Sequence, residues 1–303
     1  MDEVGKTPVG RSRRYELGLL VILTLVNGIV AFDRLTVAYL SPYIVKDMGL
    51  SNVQLGLMAG ALSLAIAISA FIGGRLADRT GRQKLILVIC TMVFSVASGG
   101  AGLALNFAML IVARFVLGST EGPIVPITFT LVSEASAPER RGLNMGFMQM
   151  AGGFLLGGVA GPLVAIYLAE SVGWRVSVLL TAGPGLLLAA AMYFFLRPDR
   201  VLSEGARAQA TPFLAAFAQL LRVPNMRLCL IIAGLFTGWL TLQGTFLAVF
   251  LTDMKRIAPT TAGWIISMGG FAGVIGGIGL PMLSDRVGRK PVMIGATLAG
   301  TLG

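Results

Sequence analysis

Apolar residues occur in long runs along this chain, and short polar segments separate the runs. A helix of about 20 apolar residues is long enough to cross a bilayer, and its backbone hydrogen bonds are satisfied internally. Runs of about this length lie roughly at 17–40, 54–73, 85–105, 107–132, 143–168, 175–196, 228–251 and 261–283, and a ninth begins near 291. The pattern therefore predicts an all-α integral membrane protein.

The ninth run and the longest polar interval predict how the chain is divided. The ninth run has only about 13 residues before Gly303, too few to cross a bilayer, so we expect an incomplete polypeptide. Residues 1–196 are predicted to form a bundle of six spans. Residues 197–227 form a linker, and residues 228–303 contain the first two to three spans of a second bundle.

The linker contains a short amphipathic pattern. Thr211 and Pro212 are typical of a helix start, and apolar residues follow at helical spacing: Phe213, Phe217, Leu220 and Leu221. The pattern favours a short helix on the membrane surface, and a linker without regular structure is the alternative.

Charge is distributed unevenly among the loops. The mean hydropathy is +0.83 and only 13% of residues are charged, although the net charge is +10. Eighteen of the 24 Lys and Arg residues lie in the N-terminal tail and in every second loop, whereas the other loops contain only Lys46, Arg175, Lys255 and Arg256. This is the positive-inside pattern, which predicts a cytoplasmic N-terminus in a cell (inner) membrane. The basic charge needs no nucleic-acid partner, and we expect a monomer.

Several classes of chemistry find no support in the sequence. Cys90 and Cys229 lie inside apolar runs without metal-ligand spacing, and the chain has no histidine. The sequence also shows no phosphate-binding loop and no nucleophile paired with a base. We therefore expect neither an enzyme nor a metal site, and no cofactor.

Two short loops contain the same motif, Asp-Arg-x-Gly-Arg. Each glycine allows a tight turn between packed helices, and each acid can cap a helix or pair with the arginines. The copies follow the second and the eighth run, which indicates a duplicated six-helix unit. The residues are Gly74, Asp78, Arg79, Gly81 and Arg82 in the first loop and Asp285, Arg286, Gly288 and Arg289 in the second.

These paired loops resemble the signature of the major facilitator superfamily. The first copy departs from the pattern at Gln83, and the second has Pro281 where the pattern prefers glycine. The resemblance implies the major facilitator fold, here an N-terminal six-helix bundle followed by the first helices of a C-terminal bundle. It also implies that both loops gate alternating access between the two bundles.

Four charged residues lie inside apolar runs: Asp33 and Arg34 in the first, and Arg114 and Glu121 in the fourth. A charge near the bilayer centre costs roughly 2.5–3.5 kcal/mol unless it faces protein or water, so such residues usually mark a functional site. From the helical rise, Asp33, Arg34 and Arg114 are predicted at one depth, about 7–9 Å toward the exterior, and Glu121 near the midplane.

These four charges predict a binding site for an organic anion. Two arginines at one depth can bind a carboxylate bidentately, while the two acids can take up protons. Glu121 is the first candidate for the proton carrier, because it lies almost two helical turns from Arg114. The alternative is that the four residues form permanent ion pairs that hold the two helices together.

The fourth run reads R-x-x-x-G-x-x-E-G, with prolines following. Together with the acid-arginine pair in the first run, it resembles the anion:cation symporter group of the superfamily. The resemblance implies that Asp33 and Glu121 carry coupling protons, and that Arg34 and Arg114 orient a small organic anion such as a sugar acid or an aromatic carboxylate. Organic phosphate antiporters are disfavoured, because the seventh run has no internal arginine.

Other polar and small residues leave alternatives open. Asn27, Gln149 and Gln243 are further candidates for substrate binding, although Asn27, Asn144 and Gln149 can equally bond across helices. The fifth run contains Gly153, Gly157 and Gly161 at four-residue spacing, which favours close helix packing. These glycines also resemble part of a motif of drug:proton antiporters. A proton-coupled exporter of drugs or cations is thus the alternative function, which the embedded arginines disfavour by repelling cations.

Overall fold

The computed structural model describes residues 13–199 and 221–302, and within these residues it is helical without any strand. We number the helices in chain order. They are α1 (Arg13–Tyr39), α2 (Ser41–Met48), α3 (Asn52–Thr80), α4 (Gln83–Ala101), α5 (Phe107–Ala135), α6 (Arg141–Val172), α7 (Trp174–Phe195), α8 (Pro224–Met254), α9 (Pro259–Val287) and α10 (Arg289–Leu302).

Eight of these helices, α1 and α3 to α9, are long and apolar enough to cross a membrane. They correspond one to one to the eight predicted spans, so the all-α membrane fold is confirmed. The short helix α2, between the first two spans, was not predicted. Helix α10 corresponds to the ninth run. The surface helix expected around Thr211 lies outside the described residues.

Loop glycines form two of the turns between helices, and Asp199 caps the start of α4. Gly81 and Gly288 both have positive φ, at 67° and 100°, which confirms that these turns use glycine. Asp78 lies within the last turn of α3 and makes no capping hydrogen bond to the start of α4 in the described part of the chain. Asp199 has that role instead: its carboxylate accepts from the backbone N–H of Lys84 (2.6 Å) and Leu85 (3.0 Å) at the start of α4.

Helices α3 and α5 pack with their backbones close together, because α5 presents glycines to α3. A Cβ added at Gly118 would lie 2.6 Å from the carbonyl oxygen of Leu62, and one at Gly122 would lie 2.6 Å from that of Ile66. Ser69 reinforces the contact by donating to the carbonyl oxygen of Gly118 (3.0 Å). The two glycines of the fourth-run motif therefore serve packing against α3.

Helix α6 contains a π-helical segment, Met148–Ala160, that changes which glycines face α1. Residues five apart share a face in a π-helix, whereas residues three or four apart do so in an α-helix. Gly152 and Gly157 accordingly lie against the backbone of α1. The sequence predicted close helix packing at Gly153, Gly157 and Gly161; this was wrong for Gly153, where a Cβ would meet only Gln149 of its own helix among the described residues.

Helix α9 packs on the other side of the π segment and joins the second part of the chain to the first six spans. A Cβ added at Gly270 would clash with the backbone of Gly158, so the two helices touch at these glycines. Ser267 donates to the carbonyl oxygen of Val159 at 2.9 Å. Helix α6 thus contacts α1 and α9 through neighbouring residues of one segment.

Polar clusters tie the helices together at both ends of the bundle. At the end where α1 begins, Glu16 accepts from Arg140 (3.0 Å) and Asn144 (2.9 Å). At the opposite end, Asp47 accepts from the ring N–H of Trp174 (3.2 Å) and from Arg175 (3.0 Å). Asn144, which the sequence left between two interpretations, thus bonds across helices.

Replacement of Gly122 by alanine is expected to destabilise the protein. The added methyl group would meet the backbone of α3, and overpacking of this kind costs about 1–3 kcal/mol. Thermal unfolding of the full-length protein in detergent would measure the loss. Gly60→Ala is the matched control, because a Cβ at Gly60 has nothing within 4 Å. Equal unfolding temperatures for the two variants would contradict the prediction.

Candidate functional site

Adjacent residues of α1 face different neighbours near the middle of the bundle. Successive residues of an α-helix are rotated by about 100°, so Asp33 and Arg34 cannot share one partner helix easily. Arg34 faces α5, where it meets Glu121. Asp33 faces α4 and α7, where it meets Ser98 and Thr181.

Arg34 and Glu121 form an ion pair. The Nε of Arg34 donates to Oε1 of Glu121 at 2.5 Å, and Nη2 contacts the same oxygen. The two partners differ in burial: 42% of the Arg34 side chain is exposed, whereas Glu121 has no exposed surface. The arginine side chain therefore has surface that no described residue covers, whereas the acid has none.

The depths estimated from the sequence did not predict this pair, because they described backbone positions. Side chains on a helix tilt toward the N-terminus of that helix. Helices α1 and α5 run in opposite directions, so the Arg34 and Glu121 side chains extend toward one another. The length of the arginine then bridges the difference in depth.

Arg114 lies on α5 and is 4% exposed. Its guanidinium interacts electrostatically with Asp33 and with Glu121. Its Nε has no hydrogen-bond partner within the described part of the chain. Arg114 is therefore a buried cation between two acids, with at least one N–H still available.

Asp33 is held by hydroxyl groups. Ser98 on α4 donates to Oδ1 of Asp33, and Thr181, at the break within α7, lies 3.1 Å from the same oxygen. The second oxygen, Oδ2, is buried and has no hydrogen-bond partner among the described residues. Sequence reasoning missed both hydroxyl residues, because serine and threonine are common inside spans and these two have no distinctive spacing.

The four embedded charges thus form one electrostatic group, with two positive and two negative members. Arg34 pairs with Glu121, and Arg114 interacts with both acids. Buried atoms without a hydrogen-bond partner remain on three of the four residues, among those the structure describes: Asp33 Oδ2, Arg114 Nε and Glu121 Oε2. Such a group can bind an anion through its arginines and a proton through its acids.

The other candidate residues lie apart from this group. Asn27 is 5% exposed and packs against Gly152 of α6, and its Nδ2 has no partner among the described residues. Gln149 is half-buried on α6, and Gln243 is exposed on α8.

The candidate gating residues of the first loop lie at the turn between α3 and α4. The side chains of Asp78, Arg79 and Arg82 are exposed there. In the second loop Arg286 is exposed, whereas the side chains of Asp285 and Arg289 lie outside the described part.

The family model described as Major Facilitator Superfamily matches residues 23–303. The chain belongs to the Major Facilitator Superfamily. The proteins of this superfamily that it resembles are transporters and not enzymes.

Curated relatives within the Major Facilitator Superfamily include transporters of organic anions. The chain is 31% identical over 197 residues to a hexuronate transporter of Bacillus subtilis, covering 64% of this chain and 46% of that protein. It is 29% identical over 296 residues to a probable sulfoacetate transporter of Cupriavidus necator, covering 90% of this chain and 65% of that protein. The chain thus spans about half to two thirds of the length of these relatives.

The relatives also include a protein named as a multidrug exporter. A multidrug export protein of Haemophilus influenzae is 31% identical over 161 residues, covering 52% of this chain and 31% of that protein.

A solved structure supports the fold. A bacterial homologue of the human lysosomal transporter Spinster, in an inward-facing and unoccupied conformation, superposes with a TM-score of 0.75. The identity is 20%, and the match covers 92% of this chain and 64% of that chain.

Because Arg34 and Glu121 differ in burial, their replacements are expected to lower the free energy of unfolding by different amounts. Arg34→Ala leaves Glu121 buried and unpaired, which is expected to cost about 3 kcal/mol in the free energy of unfolding. Glu121→Gln costs less, because the half-exposed Arg34 can be hydrated. Chemical denaturation of the full-length protein at neutral pH measures both effects. The double variant is expected to be more stable than Arg34→Ala alone, and an equal loss in both single variants would contradict the interpretation.

Proposed function

We propose that the protein is a secondary active transporter that carries a small organic anion across the membrane together with protons. The observation that carries the proposal is the Arg34–Glu121 pair, in which the acid is fully buried and the arginine is accessible. The names of the relatives support the substrate class, because hexuronate and sulfoacetate are both small organic anions.

Competition for Arg34 would couple the anion to a proton. A substrate carboxylate can accept two hydrogen bonds from a guanidinium, so it can replace Glu121 as the partner of Arg34. A buried carboxylate without its partner is costly while it is charged, and it becomes neutral by binding a proton. Anion binding and protonation of Glu121 therefore favour one another.

Arg114 supplies the second positive charge of the anion site. It is buried and interacts with Asp33 and with Glu121, the partner of Arg34, and its free Nε–H can donate to a substrate oxygen. Asp33 is the second carboxylate that can take up a proton, and it balances the charge of Arg114 while the site is empty. Asn27, Gln149 and Gln243 remain proposals for substrate contacts.

Transport itself would proceed by alternating access, with the two bundles rocking about the central site. We place the first bundle at residues 1–196, the linker at 197–227 and the second bundle at 228–303. The two Asp-Arg-x-Gly-Arg loops would control the movement from the cytoplasmic side. That orientation follows from the excess of basic residues in these loops, and it places the N-terminus in the cytoplasm. We further propose that the protein lies in the cell (inner) membrane as a monomer.

The alternative function is a proton-coupled exporter of drugs or cations. The match to a multidrug export protein favours it. The two arginines disfavour it whenever Glu121 and Asp33 are protonated, because the charge group is then positive and repels a cationic substrate. Uptake assays of the full-length protein with labelled organic acids and with cationic dyes, each with and without an imposed proton gradient, discriminate between the two. Movement of the dyes alone would overturn the anion proposal.

Replacement of Glu121 by glutamine is expected to abolish proton-driven accumulation of the anion and to leave exchange of the anion intact. The amide cannot take up a proton, so accumulation driven by a pH gradient is lost, whereas counterflow exchange of the anion continues. Both are measured with a labelled organic acid in proteoliposomes. Normal gradient-driven accumulation by this variant would refute the assignment of Glu121. Glu134→Gln, which changes an acid near the end of the same helix, is the control.

Replacement of Arg114 by alanine is expected to abolish anion binding and not merely coupling. Loss of one charge-assisted pair to a carboxylate weakens binding by at least about tenfold. Equilibrium binding of the labelled anion to the purified protein measures this change. An unchanged affinity would exclude Arg114 from the anion site and would favour a permanent structural ion pair.

A further inference from the structure

Asp33 lies at one end of a line of buried oxygen atoms. Its Oδ1 contacts the hydroxyl of Ser98, the Ser98 hydroxyl lies 2.7 Å from that of Thr181, and the Thr181 hydroxyl lies 2.7 Å from the carbonyl oxygen of Val178. Asp33 and Ser98 are each 2% exposed, and Thr181 is 8% exposed. The line joins α1, α4 and α7 through side chains that the anion site does not use.

The number of hydrogens in this line determines its direction. Each hydroxyl has one hydrogen to donate and can also accept. When Asp33 is charged, it can only accept, so Ser98 donates to Asp33, and Thr181 can donate to Asp33, to Ser98 or to the carbonyl oxygen of Val178. When Thr181 donates to Asp33 or to Ser98, both hydroxyl hydrogens lie on the side of the carboxylate.

The direction can reverse when Asp33 is neutral and its proton is on Oδ1. The protonated carboxyl then donates to Ser98, Ser98 donates to Thr181, and Thr181 donates to the carbonyl oxygen of Val178. Each of these donors again has an acceptor, and no heavy atom needs to move. The carbonyl oxygen is essential, because it receives the last hydrogen of the line.

The other acid of the charge group has no such arrangement. Glu121 is bonded to Arg34, and a guanidinium has five donors and no acceptor. Protonation of Glu121 on the bonded oxygen therefore breaks the contact. The two acids thus differ in their partners: Asp33 contacts hydroxyls that can donate or accept, whereas Glu121 contacts a guanidinium that can only donate.

We propose that Ser98 and Thr181 are positioning residues for Asp33, and that their hydroxyl line reverses to hold the carboxyl group in one place in both protonation states. The charged groups that face Asp33 are Arg114 and Glu121 from α5, and Arg34 is its neighbour on α1. The proposal rests on the proposed function only for the use of Asp33 in coupling. The geometry of the line is independent of it.

Infrared difference spectroscopy of the full-length protein in lipid tests the proposal directly. The carbonyl stretch of a protonated carboxylic acid reports the neutral form of Asp33, and its loss in Asp33→Asn identifies the band. A hydrogen bond to a charged acceptor is roughly twice as strong as one between neutral groups. Ser98→Ala therefore disfavours the charged form more, and the midpoint of the band is expected to move to higher pH by about one unit.

Two further variants and one control are compared with Ser98→Ala. Thr181→Val preserves the shape of the side chain and is expected to move the midpoint in the same direction, by less, because its oxygen is farther from Asp33. Ser98→Thr retains the hydroxyl and is expected to restore the original midpoint. Ser95→Ala is the matched control on α4, since the hydroxyl of Ser95 bonds only the carbonyl oxygen of Thr91 among the described residues.

The outcomes are distinct. An unchanged midpoint in both Ser98→Ala and Thr181→Val overturns the proposal, and so does an equal shift in Ser95→Ala. If the midpoint moves as expected while anion uptake ignores the proton gradient, the positioning role stands and the proposed coupling function fails. If uptake is coupled and its pH dependence shifts in parallel with the infrared midpoint, both are supported.

Discussion

The rest of the site depends on one constraint: an ionised side chain inside a bilayer must be paired or hydrated, at a cost of several kcal/mol otherwise. This bundle satisfies the constraint in two ways. Arg34 and Glu121 neutralise one another directly across α1 and α5. Asp33 is surrounded by hydroxyls and by the charge of Arg114. Protonation removes the charge attraction from the first solution, whereas the hydroxyls of the second can donate or accept.

Glycine packing places the first pair. Gly118 and Gly122 lie four residues apart on α5 and bring that helix into backbone contact with α3. Glu121, rotated by about 100° from Gly122, then faces α1 and meets Arg34. The glycines and the acid of the same motif thus act together. The glycines fix the rotation of α5 about its axis, and this rotation directs the Glu121 carboxylate toward Arg34.

Periodicity and motifs in the sequence were sufficient to predict the eight spans, the loop glycines and the four embedded charges. They were insufficient where a contact depends on the direction in which a side chain extends or on whether the helix is wound as an α-helix or a π-helix. The Arg34–Glu121 pair requires the tilt of two antiparallel side chains, and a depth estimate from the backbone does not contain it. Ser98 and Thr181 come from helices distant in sequence and have no spacing signal. The π segment changes the face of Gly152 and Gly153, although an α-helical period favours the other assignment.

The contact of α6 with both of its neighbours has a mechanical consequence. Gly157 touches α1 at Ala31 and Phe32, and Gly158 touches α9 at Gly270. Neither contact includes a long side chain that could absorb a displacement. The turn of α1 that carries Asp33 and Arg34 is therefore separated from α9 at this point by only two successive peptide units of α6.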